Sequence, residues 1–143
     1  MARIVVVTGG NRGIGLEVVR QLAARGDTVV LGSREPANGE RAAAGIDGEV
    51  LPRRLDVTDP AGLHVLADEL ERRFGRLDVL VNNAAIHYDT WQRASNADLR
   101  VVREALETNL LGAWQTTLAF LPLLNESAHP RIVNVSSEAG SIS

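Results

Sequence analysis

The residues best suited to chemistry lie where apolar runs end. Thr8-Gly9-Gly10-Asn11-Arg12-Gly13-Ile14-Gly15 follows the run Ile4 to Val7 and leads into a segment with helical spacing. Glycines let a backbone turn tightly and approach a ligand closely, and the free N–H groups of a helix start attract anions. The spacing differs by one residue from the usual G-x-G-x-x-G pattern, and glycine also serves plain strand-to-helix turns. This turn, however, follows the first strand and opens a helix, as a phosphate-binding turn must. At the end of the second apolar run stands Gly32-Ser33-Arg34, where dinucleotide folds read the adenosine ribose. An acidic residue there would bind a free 2′-hydroxyl. Arg34, with Arg12 from the glycine turn, instead suits a 2′-phosphate, because a guanidinium grips phosphate bidentately. The expected cofactor is NADP(H); two solvated surface arginines are the plain alternative.

Further candidates fall at the ends of later runs. Asp56, in Leu55-Asp56-Val57, is placed to accept a hydrogen bond from an adenine amino group, or else to form a turn. Asn82-Asn83-Ala84-Ala85 offers small residues that let a cofactor lie close to the backbone, and amides that can tie neighbouring strands together. Asn109 is a polar amide on a mostly apolar helical stretch; it needs partners if buried, and is otherwise exposed or bonded locally. Val135-Ser136-Ser137 follows the last run, where serine serves equally as a turn residue or a reactive group.

The elements that must hold these residues alternate strand and helix, which implies a parallel sheet covered on both faces. Strands are expected at Ile4–Val7, Thr28–Leu31, Val50–Leu55, Leu77–Val81 and Arg131–Val135. The helix Ile14–Arg25 is expected to bury Ile14, Val18, Val19, Leu22 and Ala23, with Gly26 just past its end. A short helix spans Gly39–Ala44. Asp59 caps a third helix, with Pro60 at its first position, which buries Leu63, Leu66, Leu70 and Phe74 and stops at Gly75. After a loop from Asn82 to Asn96, a long helix runs from about Asp98 to Phe120. Its stripe is Leu99, Val102, Leu106, Leu110, Ala113, Thr117 and Leu121, and Pro122 helps to end it. Right-handed crossovers then give a doubly wound, three-layer α/β/α fold with strand order 3-2-1-4-5, which stops after the fifth strand.

At 143 residues, 45% hydrophobic and 23% charged, the chain reads as one globular domain. A net charge of −3 gives no reason to expect nucleic acid or an anionic membrane as partner. With no cysteine, redox chemistry needs a cofactor. The first strand begins by Arg3 or Ile4, leaving no room for a signal peptide, and no apolar run approaches the roughly 20 residues of a membrane span. A cytoplasmic protein is the expectation. All 15 basic residues are arginines.

Taken together these motifs, in this order and spacing and over the whole chain, resemble the short-chain dehydrogenase/reductase family. Gly13-Ile14-Gly15-Leu16-Glu17, Gly32-Ser33-Arg34 and Leu121-Pro122-Leu123-Leu124 look especially like its NADPH-dependent carbonyl reductases. The resemblance implies cofactor contacts from Thr8, Gly9, Asn11, Arg12, Gly13, Ile14, Gly15, Arg34, Asp56, Val57, Asn83, Ala84 and Ala85. It makes Ser137 the serine that holds the substrate carbonyl, and Asn109 the anchor of a proton-relay water. The family usually has Asn-Asn-Ala-Gly, so Ala85 is a departure; a tolerated variant is the expectation.

A larger departure concerns the general acid. Family catalysis needs a Tyr-x-x-x-Lys pair, in which tyrosine supplies the proton and lysine lowers its pKa and binds the nicotinamide ribose. The one tyrosine, Tyr88, is followed four residues on by Gln92, and there is no lysine. The reading is therefore of an NAD(P)-binding Rossmann-like domain over residues 1–143, the N-terminal portion of a longer carbonyl reductase and inactive alone. A non-catalytic NADP-binding or interaction module is the alternative, and a flavin-binding domain fits the paired arginines less well. The substrate expected is a small carbonyl compound, and the oligomeric state is open.

Overall fold

A computed structural model describes residues 2–86 and 93–136 of the chain. Five parallel strands form one sheet in the order β3-β2-β1-β4-β5: β1 (Ile4–Val7), β2 (Thr28–Ser33), β3 (Val50–Arg54), β4 (Val79–Asn82) and β5 (Arg131–Asn134). The expected order is the one observed. Between them run α1 (Gly13–Ala24), α2 (Pro36–Ala44), α3 (Pro60–Phe74), α4 (Leu99–Leu106), a π-helical turn (Glu107–Gly112) and α5 (Ala113–Asn125).

Strand alternation divides the core in two. Val5 and Val7 of β1 pack with Val29, Leu31, Val79 and Val81 against α1, through Val19 and Ala23. Ile4 and Val6 face the other way and pack with Leu63, Leu66 and Leu70 of α3 and Phe120, Leu123 and Leu124 of α5. Asp59 caps α3 as expected, its carboxylate accepting from Gly62 N at 3.2 Å, and Gly75 ends that helix at φ +72°. Phe74 packs against the core from a partly buried position.

Several expected boundaries and burials shift. Ile14 is 65% exposed rather than core, because it sits on the outer side of the first turn of α1. β2 extends to Ser33, where it pairs with Arg54. β3 stops at Arg54, and Leu55 is instead buried beyond it. β4 starts only at Val79, since the Leu77 N–H donates to Leu123 O at 3.0 Å. α2 starts at Pro36, as proline is preset for a first helical position.

The long helix differs most. Most of the expected stripe faces outward: Leu99, Val102, Leu106, Leu110 and Leu121 are exposed and Ala113 and Thr117 half-buried, while Thr108, Gly112, Thr116, Phe120, Leu123 and Leu124 are buried. Spacing by four would drift around an ordinary helix, but the wider π turn offsets that drift. It aligns Thr108, Gly112, Thr116 and Phe120 toward the sheet. Pro122 does not end the helix, which continues to Asn125 because Leu123 and Leu124 anchor its last turn in the core. The carbonyl that Pro122 leaves unbonded belongs to Leu118, on the exposed side. Among the described residues, no helix is long and apolar enough to cross a membrane.

Candidate functional site

At the carboxyl edge of the sheet, the chain leaves β1 and β4 toward helices on opposite faces, α1 on one and α5 on the other, and doubly wound sheets bind ligands in the crevice at such a switch point. The turn between β1 and α1 closes one side. Gly9 and Gly13 both have φ +60°, in the left-handed region. A Cβ on Gly9 would lie 3.0 Å from Ala84 Cα, whereas one on Gly13 would meet nothing within 4 Å and would project into open space. Arg12 precedes α1 in an extended conformation and makes no side-chain capping bond, and the first turn holds no acidic residue. The first N–H groups of α1 therefore have no protein acceptor of the kind Asp59 gives α3, and they are left to bind an anion.

The turn is held from below by β4. The Thr8 hydroxyl accepts N–H bonds from Asn83 at 2.9 Å and Ala84 at 2.8 Å, and Asn83 Nδ2 donates to Gly9 O at 3.0 Å. Thr8 is 1% exposed, so its side chain secures the crevice floor and does not face a ligand. Above this floor is a cleft of 370 Å³, and its lining includes Gly9, Asn11, Arg12, Gly13, Arg34, Val57, Asn83, Ala84 and Ala85. These nine expected residues, drawn from four separate segments, come together. Arg12 and Arg34 are both exposed, and neither forms an ion pair or a side-chain hydrogen bond among the described residues. No non-glycine residue among those described has positive φ, so the backbone at Ala85 does not require the family's glycine.

Other expected residues stand apart from the lining. Gly15 is buried beneath the turn and Ile14 points outward. Asp56 Oδ1 accepts from Thr58 N at 2.9 Å and Thr58 Oγ1 at 2.7 Å, so that oxygen serves a turn. Asn109 lies within the π turn and is exposed; its Oδ1 accepts from Ile86 N at 3.0 Å, tying the helix to the loop that leaves β4. Ser137 and the loop residues His87, Tyr88, Trp91 and Gln92 lie outside the described residues. The cleft also takes in Glu35, Asn38, Leu55, Ile86 and Thr108, which the sequence did not single out. Glu35 and Asn38 follow Arg34 closely enough for its position to have flagged them. Thr108 arrives only through the π turn and carried no signal.

The short chain dehydrogenase family profile matches residues 3–143. Short-chain dehydrogenase/reductase 1 of Saponaria officinalis is 41% identical, over 96% of this chain and 54% of the relative. A (+)-neomenthol dehydrogenase of Capsicum annuum is 36% identical, over 98% of this chain and 57% of the relative. In three dimensions, menthone neomenthol reductase from Mentha piperita superposes with a TM-score of 0.87 at 33% identity, over 99% of this chain and 62% of that one. The chain thus spans about half the length of the curated relatives it matches. Match, sheet order and crevice agree: the chain belongs to the short-chain dehydrogenase family of oxidoreductases.

Proposed function

We propose that this chain is the dinucleotide-binding portion of an NADP(H)-dependent reductase acting on a carbonyl/alcohol pair. The observation that carries the reading is the cleft itself: an uncapped helix start and an open Gly13 beside two unpaired guanidiniums. The α1 N–H groups and the glycine turn would hold the pyrophosphate, and Arg12 and Arg34 the 2′-phosphate. Leu55, Val57 and Ala84 offer an apolar wall to a base. When bound, the nicotinamide supplies the hydride that reduces a carbonyl carbon.

The protein's own task is to orient that carbonyl and deliver a proton to its oxygen. Ser137 is assigned the hydrogen bond that polarises the carbonyl. Asn109, whose Oδ1 is already bound to Ile86 N, is assigned the anchoring of a relay water. A missing general acid forfeits about 10²–10⁴-fold in rate, so this stretch without the family's tyrosine and lysine holds the cofactor but does not turn over. The names of the relatives, a neomenthol dehydrogenase and a menthone neomenthol reductase, support an alcohol/ketone couple as substrate.

The cofactor assignment is tested by replacing Arg12 and Arg34 together with alanine and titrating NADPH and NADH. Hydrogen bonds to charged groups contribute about 1.5–3 kcal/mol each, so NADPH should weaken by at least about 100-fold. NADH should change by less than about threefold. Equal losses for the two cofactors would remove the 2′-phosphate assignment.

A further inference from the structure

Three threonines follow one another along the π turn and α5, and they use their hydroxyls differently. Thr116 Oγ1 donates to Gly112 O at 2.7 Å and Thr117 Oγ1 to Ala113 O at 2.9 Å. This is the bond to the carbonyl four residues earlier that threonine makes inside a helix. Thr108, 9% exposed, makes no such bond, and its hydroxyl has no hydrogen-bond partner among the described residues. Buried polar groups are paired as a rule. The one side-chain polar atom among the described residues that is both sealed from solvent and unbonded is Asn82 Oδ1. The Thr108 hydroxyl is therefore unbonded without being sealed, and it opens into the cleft that the residue lines.

The surroundings of Thr108 suit a flat apolar base. Gly112 lies one turn further along the same buried row, and a Cβ on it would lie 2.6 Å from Val57 Cγ2. Gln115 Nε2 donates to Val57 O at 3.0 Å. These contacts clamp the helix to the segment leaving β3, and they bring Thr108 to the wall formed by Leu55, Val57 and Ala84. Leu55 N donates to Ser33 O at 2.8 Å, which sets that wall beside Arg34. Asp56, expected to meet the adenine amine, turns to Thr58 instead and stands outside the lining.

We propose that the Thr108 hydroxyl hydrogen-bonds the polar edge of the adenine, its exocyclic amine and the adjoining ring nitrogen. The inference rests on the dinucleotide reading above and deepens it. A hydroxyl serves that edge as donor or acceptor, so one side chain can satisfy either atom. A hydroxyl with no partner of its own in the protein also rejects a base that offers it none. The π turn thus has a function: it carries Thr108 to the base with its hydroxyl free.

The test uses the full-length reductase that carries this sequence. Calorimetry gives Kd for NADP+ and for its ethenoadenine analogue, whose amine and ring nitrogen are bridged by carbon, and thermal melting gives the stability of the free protein. Thr108→Val keeps the β-branched shape and removes only the hydroxyl. It should weaken NADP+ about fivefold, the value of one neutral hydrogen bond, and the analogue less than about twofold. Thr108→Ser, which keeps the hydroxyl, should hold NADP+ within about twofold of the unsubstituted enzyme. Because the hydroxyl holds nothing in the protein, Thr108→Val should melt no lower than the unsubstituted enzyme. Equal weakening of both nucleotides, or of neither, would overturn the proposal. A lower melting temperature with unchanged affinity would also overturn it, by making the hydroxyl structural. If the enzyme bound NAD+ and not NADP+, the 2′-phosphate assignment would fall, while the same comparison with NAD+ and its ethenoadenine analogue still decided the role of Thr108. Binding of neither dinucleotide would bring down the cleft assignment and this proposal together.

Discussion

Replacing Gly15 with alanine tests how tightly the glycine turn is seated on β4. The residue is buried in the first turn of α1, and its backbone is not in the left-handed region, so a side chain is not refused on conformational grounds. It is refused on space: a Cβ would lie 2.4 Å from both Gly9 O and Asn83 Nδ2. Ordinary carbon contacts are about 3.5–4.0 Å, so the shortfall exceeds about 1 Å. Asn83 can swing away, but the Gly9 carbonyl belongs to the turn itself. Overpacking costs about 1–3 kcal/mol and the lost bond from Asn83 to Gly9 O about 1 kcal/mol more. The sum, roughly 2–4 kcal/mol, lowers the melting temperature of a domain this size by about 10 °C. Gly13→Ala is the internal control: nothing lies near its Cβ, and the cost is the φ of +60° alone, about 1–2 kcal/mol. Thermal melts of the purified variants should therefore rank Gly15→Ala below Gly13→Ala. Asn83→Ser added to Gly15→Ala should restore little, since Gly9 O remains in the way. If Gly15→Ala melts within about 2 °C of the unsubstituted protein, or if Asn83→Ser rescues it, the close seating of turn on strand is refuted.

Two further outcomes follow from the core. Burial pushes the Asp78 carboxyl up, but bonds from Ser127 Oγ and Ile4 N, together with the Arg76 guanidinium, hold it below the usual aspartate range. A carboxyl depressed in the folded state contributes stability above its unfolded value, about 3.9, and loses it as pH falls through the folded value. Denaturant melts should thus show stability declining below about pH 4, and Asp78→Asn should flatten that decline from a lower starting stability; an unaltered slope would contradict it. Phe120 is fully buried while Leu118, two residues earlier, is 59% exposed. Phe120→Ala should cost about 3–5 kcal/mol and Leu118→Ala less than about 0.5 in denaturant unfolding; the reverse ranking would put the wrong face of α5 on the sheet.

The strand order was legible because it rests on local signals: apolar runs of strand length, each followed by a helix, with crossovers of one hand. The cleft was legible for the same reason, since Arg12, Arg34, Val57 and Asn83 all lie in the segments that follow the carboxyl ends of strands, and the fold gathers those ends. What failed to show were properties that depend on three dimensions. Periodicity gave an apolar stripe through Leu106 and Leu110 but not its direction, and the face that meets the sheet uses Thr108, Gly112 and Thr116, which look unremarkable in sequence. Nothing local announces the π turn, which brings Thr108 to the cleft and holds Asn109 opposite Ile86. Pro122 was a sound stop signal overruled by the burial of Leu123 and Leu124. Thr8 and Gly15 were expected to contact the cofactor as parts of a motif, but here they shape the floor and do not line the cleft.

The strand order also bears on how the chain assembles as it is synthesised. β2 docks on one edge of β1 and β3 on β2; β4 then takes the other edge of β1, and β5 joins β4. No strand has to be inserted between two that are already paired. A chain that emerges amino end first can add each strand to an existing border, so its folding sequence matches its order of translation. The border kept waiting longest is the free side of β1, whose Val5, Val6 and Val7 meet Val79, Leu80 and Val81 only after α3 has emerged. During that interval the nascent protein is most open to pairing with the wrong strand.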